Sequence, residues 1–238
     1  MNIEQILRDY ERDGVVRIAK FFSAEETRRV RCEIQRYIRD IAPKLEPSEV
    51  TFEDDGKTAR NLWRMEKYDP CFAKIAHRPE ILNLVGRLVH GEPVLLGTET
   101  FNKPARIGSG VPPHQDNAYF CQNPPDVLTI WIAMDAATEA NGPVSYARGS
   151  HKLGLLPHKA SGVKGNSIGL AEKFDHTEPF VGLLEPGDAL IHNCQTIHYS
   201  GPNRTDFPRC GFLLVYRGAH TQTDPALKIQ YDQARASV

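Results

Sequence analysis

Pro112-Pro113-His114-Gln115-Asp116-Asn117 sets an imidazole and a carboxylate two positions apart. The prolines favour an extended chain, where side chains alternate with period two, so His114 and Asp116 are expected on one face. A bare His-x-Asp pair is common by chance, and a metal centre needs a third ligand. Downstream, a Pro186-Gly187-Asp188 turn feeds a hydrophobic run ending in His192, and His198 follows just before a Gly201-Pro202-Asn203 turn. A distant barrel strand could deliver His198 to the pair, with His192 competing for the same place. Two imidazoles and one carboxylate bound facially leave several coordination positions open. That suits non-haem iron(II) holding a co-substrate and dioxygen together, whereas zinc favours tetrahedral sites richer in nitrogen or sulfur. Arg209 stands eleven positions after His198, at the head of Cys210-Gly211-Phe212-Leu213-Leu214-Val215-Tyr216. On an adjacent antiparallel strand its guanidinium would point back into the barrel and need a bidentate carboxylate partner, which a dicarboxylate co-substrate provides. Arg204 and Arg217 are the alternative anchors.

These residues must be carried by strands, and the second half of the chain reads that way. From Pro93 onward, short β-runs alternate with Gly, Pro and Asn: Val94 to Phe101, Val127 to Met134, Val144 to Ala147, Phe180 to Leu184, Ala189 to Ile191 and Gly211 to Arg217. The first part is mainly helical. Ile3, Ile6, Leu7 and Tyr10 repeat at helical spacing up to Asp13-Gly14. A β-rich run follows at Val15 to Phe22, and Ser23 with Glu26 forms a capping box ahead of a helix from Ala24 to Ile41. Pro79 to Val89 is a third helix. Helices followed by many short strands predict a mostly β fold with flanking helices, a sandwich or barrel with the helices on one face.

The set His114-Gln115-Asp116, Asn141-Gly142-Pro143, Gly149-Ser150-His151-Lys152, Pro186-Gly187-Asp188 and His198 followed by Arg209 resembles the phytanoyl-CoA dioxygenase family of iron(II)/2-oxoglutarate oxygenases, over roughly residues 10 to 218. The resemblance implies a double-stranded β-helix (a cupin-like jelly roll) in a single domain over 1–238, with 1–92 as mainly helical support and 93–218 as the core. It implies His114, Asp116 and His198 as iron(II) ligands and catalytic residues, preferring His198 over His192 because the following turn and the Arg209 spacing match the family pattern. It implies Arg209 as the 2-oxoglutarate anchor, Ser200 as its hydroxyl helper and Trp131 as a wall of the same pocket, with dioxygen as the second co-substrate. Family halogenases replace the metal-binding Asp by a small residue; Asp116 is intact, so hydroxylation or another oxidation of a small organic molecule is expected. The alternative is a jelly roll that holds a metal or ligand without turnover.

Substrate contacts are expected from Asn61, Trp63 and Arg64, which mix polarity with an aromatic ring ahead of the third helix. Whichever of Glu99, Thr100 and Asn102 points inward joins them, with Thr100 and Asn102 favoured. Arg60 and Arg64 could equally be solvated strand charges. His151 reads as a turn residue. Nothing marks a CoA groove. Leu45 to Lys57 and His151 to Thr177 look like long loops, and the second, poor in apolar residues and containing Gly154, Gly162 and Gly165, is expected to be a mobile cover over the site. Lys and Arg number 29 against 30 for Asp and Glu, which disfavours nucleic acid or an anionic membrane as partner. No apolar run reaches the length of a membrane span, and the polar first residues do not resemble a signal sequence, so a cytoplasmic protein is expected. The five cysteines form no CxxC pair and read as reduced packing residues.

Overall fold

The computed structural model describes residues 2–163, 166–175 and 178–236. The first segment carries helix α1 (Ile3–Asp13), strand β1 (Val15–Ile18), helix α2 (Ala24–Asp40), strands β2 (Val50–Phe52) and β3 (Ala59–Leu62), and helices α3 (Pro70–Ala76) and α4 (Pro79–Leu88). Then come β4 (Pro93–Lys103), β5 (Val111–His114), the single turn α5 (Asn117–Phe120), β6 (Gln122–Asn123), β7 (Val127–Ala133) and β8 (Val144–Tyr146). The rest comprises β9 (His158–Val163), β10 (Asn166–Leu170), β11 (Phe180–Val181), β12 (Ala189–Asn193), β13 (His198–Ser200), β14 (Arg209–Gly218), β15 (Gln222–Thr223) and α6 (Pro225–Ala236).

Two antiparallel sheets face each other in a double-stranded β-helix. The larger runs β1-β12-β7-β14-β4-β3-β2 and the smaller β11-β8-β13-β5. The expected strand positions hold to within a few residues. The first 92 residues, however, give the large sheet three strands as well as its helices. Capping fixes where α2 begins: Ser23 Oγ accepts from the Glu26 amide at 3.2 Å, and the Glu26 carboxylate accepts from the Ser23 amide at 2.9 Å.

Strand β7 explains how the sheet positions a site. All seven of its residues are buried because both of its faces are covered, so it reads as an unbroken hydrophobic run. Leu128, Ile130 and Ile132 join Ile6, Val30, Ile34, Phe72 and Leu84 in the core under the helices. Trp131 and Ala133 join Tyr146, Leu190 and Leu213 between the two sheets. Register carries this alternation across the sheet, Glu99 lying opposite Leu213 and Leu213 opposite Trp131. Thr100 lies opposite Phe212 on the helix-covered face. Capturing which face each residue takes is the part of the fold that matters for chemistry.

The segment expected to be a mobile cover, His151 to Thr177, contains a β9-β10 hairpin. It is pinned where the Tyr119 hydroxyl donates to the Ile168 carbonyl at 2.7 Å and where His158 Nε2 accepts from the Gln115 amide at 3.0 Å. Residues 164, 165, 176 and 177, part of that expected cover, lie outside the described residues.

Candidate metal and co-substrate site

His114 and His198 meet because β5 and β13 are neighbours in which these two residues are directly opposed. Their ring centroids are 4.2 Å apart. Each ring is oriented through its Nδ1, against the Pro112 carbonyl for His114 and the Thr196 carbonyl for His198, both at 2.9 Å. That leaves both Nε2 atoms facing the same point. Asp116 arrives differently from the period-two expectation. The strand stops at His114, and Asp116 has helical dihedrals (φ −59°, ψ −31°) at the start of α5. The intervening Gln115 is fully buried; its side chain donates to the Gly154 and Gln195 carbonyls and accepts from the Leu156 amide. It anchors the turn that swings Asp116 inward.

Asp116 Oδ1 lies 3.5 Å from Nε2 of both His114 and His198. The three ligand atoms sit within 4.8 Å of one another, and among the described residues they form the one cluster with metal-ligand spacing. His192 is not part of this cluster. Its Nε2 is 3.1 Å from the other oxygen, Asp116 Oδ2, and its Nδ1 is 3.2 Å from the Tyr146 hydroxyl. Thr129 Oγ1 donates to the same Oδ2 at 3.2 Å. Oδ2 is thereby occupied and Oδ1 is turned toward the histidines.

Electrostatics suit a cation at this point. Burial alone would raise the Asp116 carboxyl, but His198, His114 and His192 together hold it well below the ordinary carboxylate range. Burial, then His114, pushes the His198 imidazole down to about 3, with Asp116 opposing. His198 is therefore neutral and its lone pair is available to a metal.

Arg209 opens β14 on the inner face and is 1% exposed. Its Cζ stacks 5.0 Å above the Trp131 ring. The indole fits there because residue 211 is glycine: a Cβ at Gly211 would sit 2.3 Å from the Trp131 ring. Among the described residues no carboxylate pairs with this guanidinium, and its Nε and Nη1 are buried with no hydrogen-bond partner. Burial pushes it down to about 10. A buried, unpaired guanidinium is costly, and an anion resolves it. Lys103 lies opposite Arg209 in the register. It is fully buried, donates to the Ser109 and Gly201 carbonyls at 2.5 and 2.7 Å, and is pushed down to about 6 by burial and by Arg209. Arg204 is exposed, and Arg217 donates to the Gly218 and Thr221 carbonyls; neither lines the same cavity as Arg209.

A cavity of about 490 Å³ joins these groups, lined by His114, Asp116, His198, Ser200, Arg209 and Trp131 among others. Trp63 and Arg64 reach its wall as the sequence suggested, with Arg64 bound to Glu49 at 2.7 Å. Three expected contacts do not line it. Thr100 and Asn102 lie on the helix-covered face of β4, Asn102 donating to the Ala59 carbonyl. The inward residues of that strand are Glu99 and Phe101. Asn61 is fully buried, its amide has no partner, and it is absent from the cavity wall. His151 packs against Gly14 with Nε2 near the Glu11 carbonyl, away from the site. Tyr231 of α6 also lines the cavity. That helix follows an Asp224-Pro225 start, Asp224 accepting from the Ala226 amide at 2.8 Å; the cap was the available signal.

A double-stranded β-helix with a buried His-Asp-His cluster and an unpaired arginine at the end of the same cavity has the form of a mononuclear metalloenzyme that takes an anionic co-substrate. The chain belongs to the phytanoyl-CoA dioxygenase (PhyH) family, whose pattern it matches over residues 10–211. It is 30% identical over 224 residues to a probable phytanoyl-CoA dioxygenase of Caenorhabditis elegans, covering 84% of this chain and 70% of that protein. It is 28% identical over 222 residues to a probable alpha-ketoglutarate-dependent hypophosphite dioxygenase of Stutzerimonas stutzeri, covering 89% and 77%. Among solved structures it is similar to the non-heme monooxygenase ThoJ, with a TM-score of 0.74, 26% identity, and 92% and 79% coverage. It shares the fold of EctD from S. alaskensis at a TM-score of 0.78, 18% identity, and 92% and 77% coverage. No described helix is long and apolar enough to cross a membrane.

Proposed function

We propose that this protein is an iron(II)/2-oxoglutarate-dependent dioxygenase that oxidises a small organic molecule, with hydroxylation as the expected outcome. In this reading the chain is one catalytic domain, His114, Asp116 and His198 hold iron(II), and Arg209 anchors the distal carboxylate of 2-oxoglutarate beside Ser200 and Trp131. Bound there, iron and 2-oxoglutarate would supply activation of dioxygen, with one oxygen atom entering the succinate that forms alongside carbon dioxide and the other going to the substrate.

The chain's own residues prepare this. His192 and Thr129 hold Asp116 Oδ2 so that Oδ1 faces the metal position. The Trp131 ring supports the guanidinium from below, and the buried wall keeps water from competing for it. The observation that carries the reading is Arg209, an unpaired buried cation in the same cavity as three convergent ligand atoms. Curated relatives in the family include an L-proline trans-4-hydroxylase and ectoine dioxygenases, so a small molecule is the fitting class of substrate for the remaining cavity.

The test is conversion of 2-oxoglutarate to succinate by purified protein given iron(II) and air. Metal-dependent succinate that vanishes in Arg209→Ala supports the reading. Tight binding of metal and 2-oxoglutarate with no succinate would make the protein a binder instead.

A further inference from the structure

Glu99 is the carboxylate in the cavity wall that nothing in the fold explains. It faces inward from β4, in register with Leu213 and Trp131. Among the described residues it makes no hydrogen bond and no ion pair. The nearby arginine is already engaged: Arg64 donates through Nε and Nη2 to Glu49. Asp116 is committed to its three histidines, and Arg209 lies at the co-substrate end. Its Oε1 lies over Gly97, 3.7 Å from the position a Cβ would take there, with Arg64 Cγ 3.6 Å from the same point. The same cavity wall carries the rings of Trp63, Phe101, Tyr119 and Phe120.

We propose that Glu99 is a substrate-binding residue and that the substrate carries a cationic ammonium group, which Glu99 pairs with inside this aromatic wall. This rests on the dioxygenase reading and adds the substrate's chemical class to it. A carboxylate among aromatic rings is a good receptor for an alkylammonium, which gains both an ion pair and the faces of the rings. The charges around the reaction centre agree. Iron(II) with Asp116, and Arg209 with the 2-oxoglutarate dianion, sum to zero, leaving Glu99 as the uncompensated charge that the substrate meets. Burial, then Asp116 and Glu66, pushes its carboxyl up to about 8, with Arg64 opposing, so the carboxyl gives up its proton when a cation joins it. An anionic substrate at this place would meet like charge.

The test uses matched probes on the full chain loaded with manganese(II) and 2-oxoglutarate: cyclohexylamine, cyclohexanol and cyclohexanecarboxylate, titrated by calorimetry. Cyclohexylammonium should bind at least about ten-fold more tightly than the alcohol, and the carboxylate should be weakest. Glu99→Gln, which keeps the shape and removes the charge, should bring the amine to the level of the alcohol. An alcohol or carboxylate that binds as well as the amine, an amine that does not bind, or a preference that survives Glu99→Gln would each overturn the proposal. The 2-oxoglutarate titration that loads the protein reads the dioxygenase proposal separately. Repeating the amine titration on metal-free chain tests Glu99 even if that loading fails.

Discussion

The two ends of the cavity are built on opposite principles. At the metal end, every functional group is placed by strand register or a locked turn: His114 opposes His198, Arg209 opposes Lys103, and Gln115 fixes the entry of Asp116. Its charges are buried and left incomplete, with Arg209 unpaired and three ligand atoms converging on one point. At the mouth, groups come from strand edges, a short hairpin and the C-terminal helix, and most of their polar atoms are already partnered, as in Arg64 with Glu49 and Tyr119 with Ile168. An end that is rigid and unsatisfied is prepared for invariant ligands. An end that is satisfied and assembled from several segments is free to suit one substrate, and Glu99 is its exception.

The sharpest break of this contrast is loss of a ligand. Asp116→Ala should abolish stoichiometric metal binding and all succinate formation, measured by metal analysis after desalting. Retained metal at one per chain would show that His192 or another group can complete the site.

Arg209→Ala should raise the 2-oxoglutarate requirement by about 2–5 kcal/mol, a factor of roughly 30 to several thousand, with metal binding kept. Arg209→Lys should remain impaired because an ammonium cannot reproduce the fork. The same residue predicts the opposite sign for stability. Arg209→Met should raise the melting temperature of the ligand-free protein, since it removes an uncompensated buried charge, by roughly 2–4 °C for each kcal/mol recovered. A lower melting temperature would mean that the guanidinium is paired in solution.

A smaller effect belongs to the residues behind the ligands. His192→Leu or Thr129→Val should weaken metal binding by about 10–100-fold, the usual consequence of losing a group that orients a ligand, and His192→Gln should recover part of it through its amide donor. Equal affinity in all three would show that Asp116 needs no such clamp. Smallest of all is Thr100→Val on the far face of β4. It removes a buried hydroxyl that has no partner, so activity should be unchanged and stability should stay within about 1 kcal/mol of wild type or rise slightly.

The metal end was legible in the sequence because its chemistry is written in residue types whose spacing is set by short, turn-bounded strands. His114, Asp116, His198 and Arg209 could be named before any coordinates, and the pattern of β-runs from Pro93 gave the fold. The route to convergence was not legible: Asp116 reaches the site through a turn rather than by strand alternation. The mouth was harder because facing depends on register. Within β4, whether Glu99 or Thr100 points inward is decided by its pairing with β14, and alternation alone allows either. Thr100 and Asn102 were therefore expected inside and are found outside. The hairpin within the expected cover was not legible for a related reason, since Tyr119 and Gln115, distant in sequence from it, make its contacts. His192 is ambiguous in the sequence because a histidine that contacts Asp116 Oδ2 from behind and one that belongs to the His-Asp-His cluster look alike in a strand.

The most direct test of the two-ended cavity is an anaerobic titration of the metal-free protein with iron(II) and then 2-oxoglutarate, followed by admission of air and measurement of succinate. One iron should bind per chain, one 2-oxoglutarate should follow only when Arg209 is present, and succinate should then appear in step with oxygen consumed. Iron that fails to bind at His114, Asp116 and His198, or 2-oxoglutarate that binds equally well to Arg209→Ala, would contradict it.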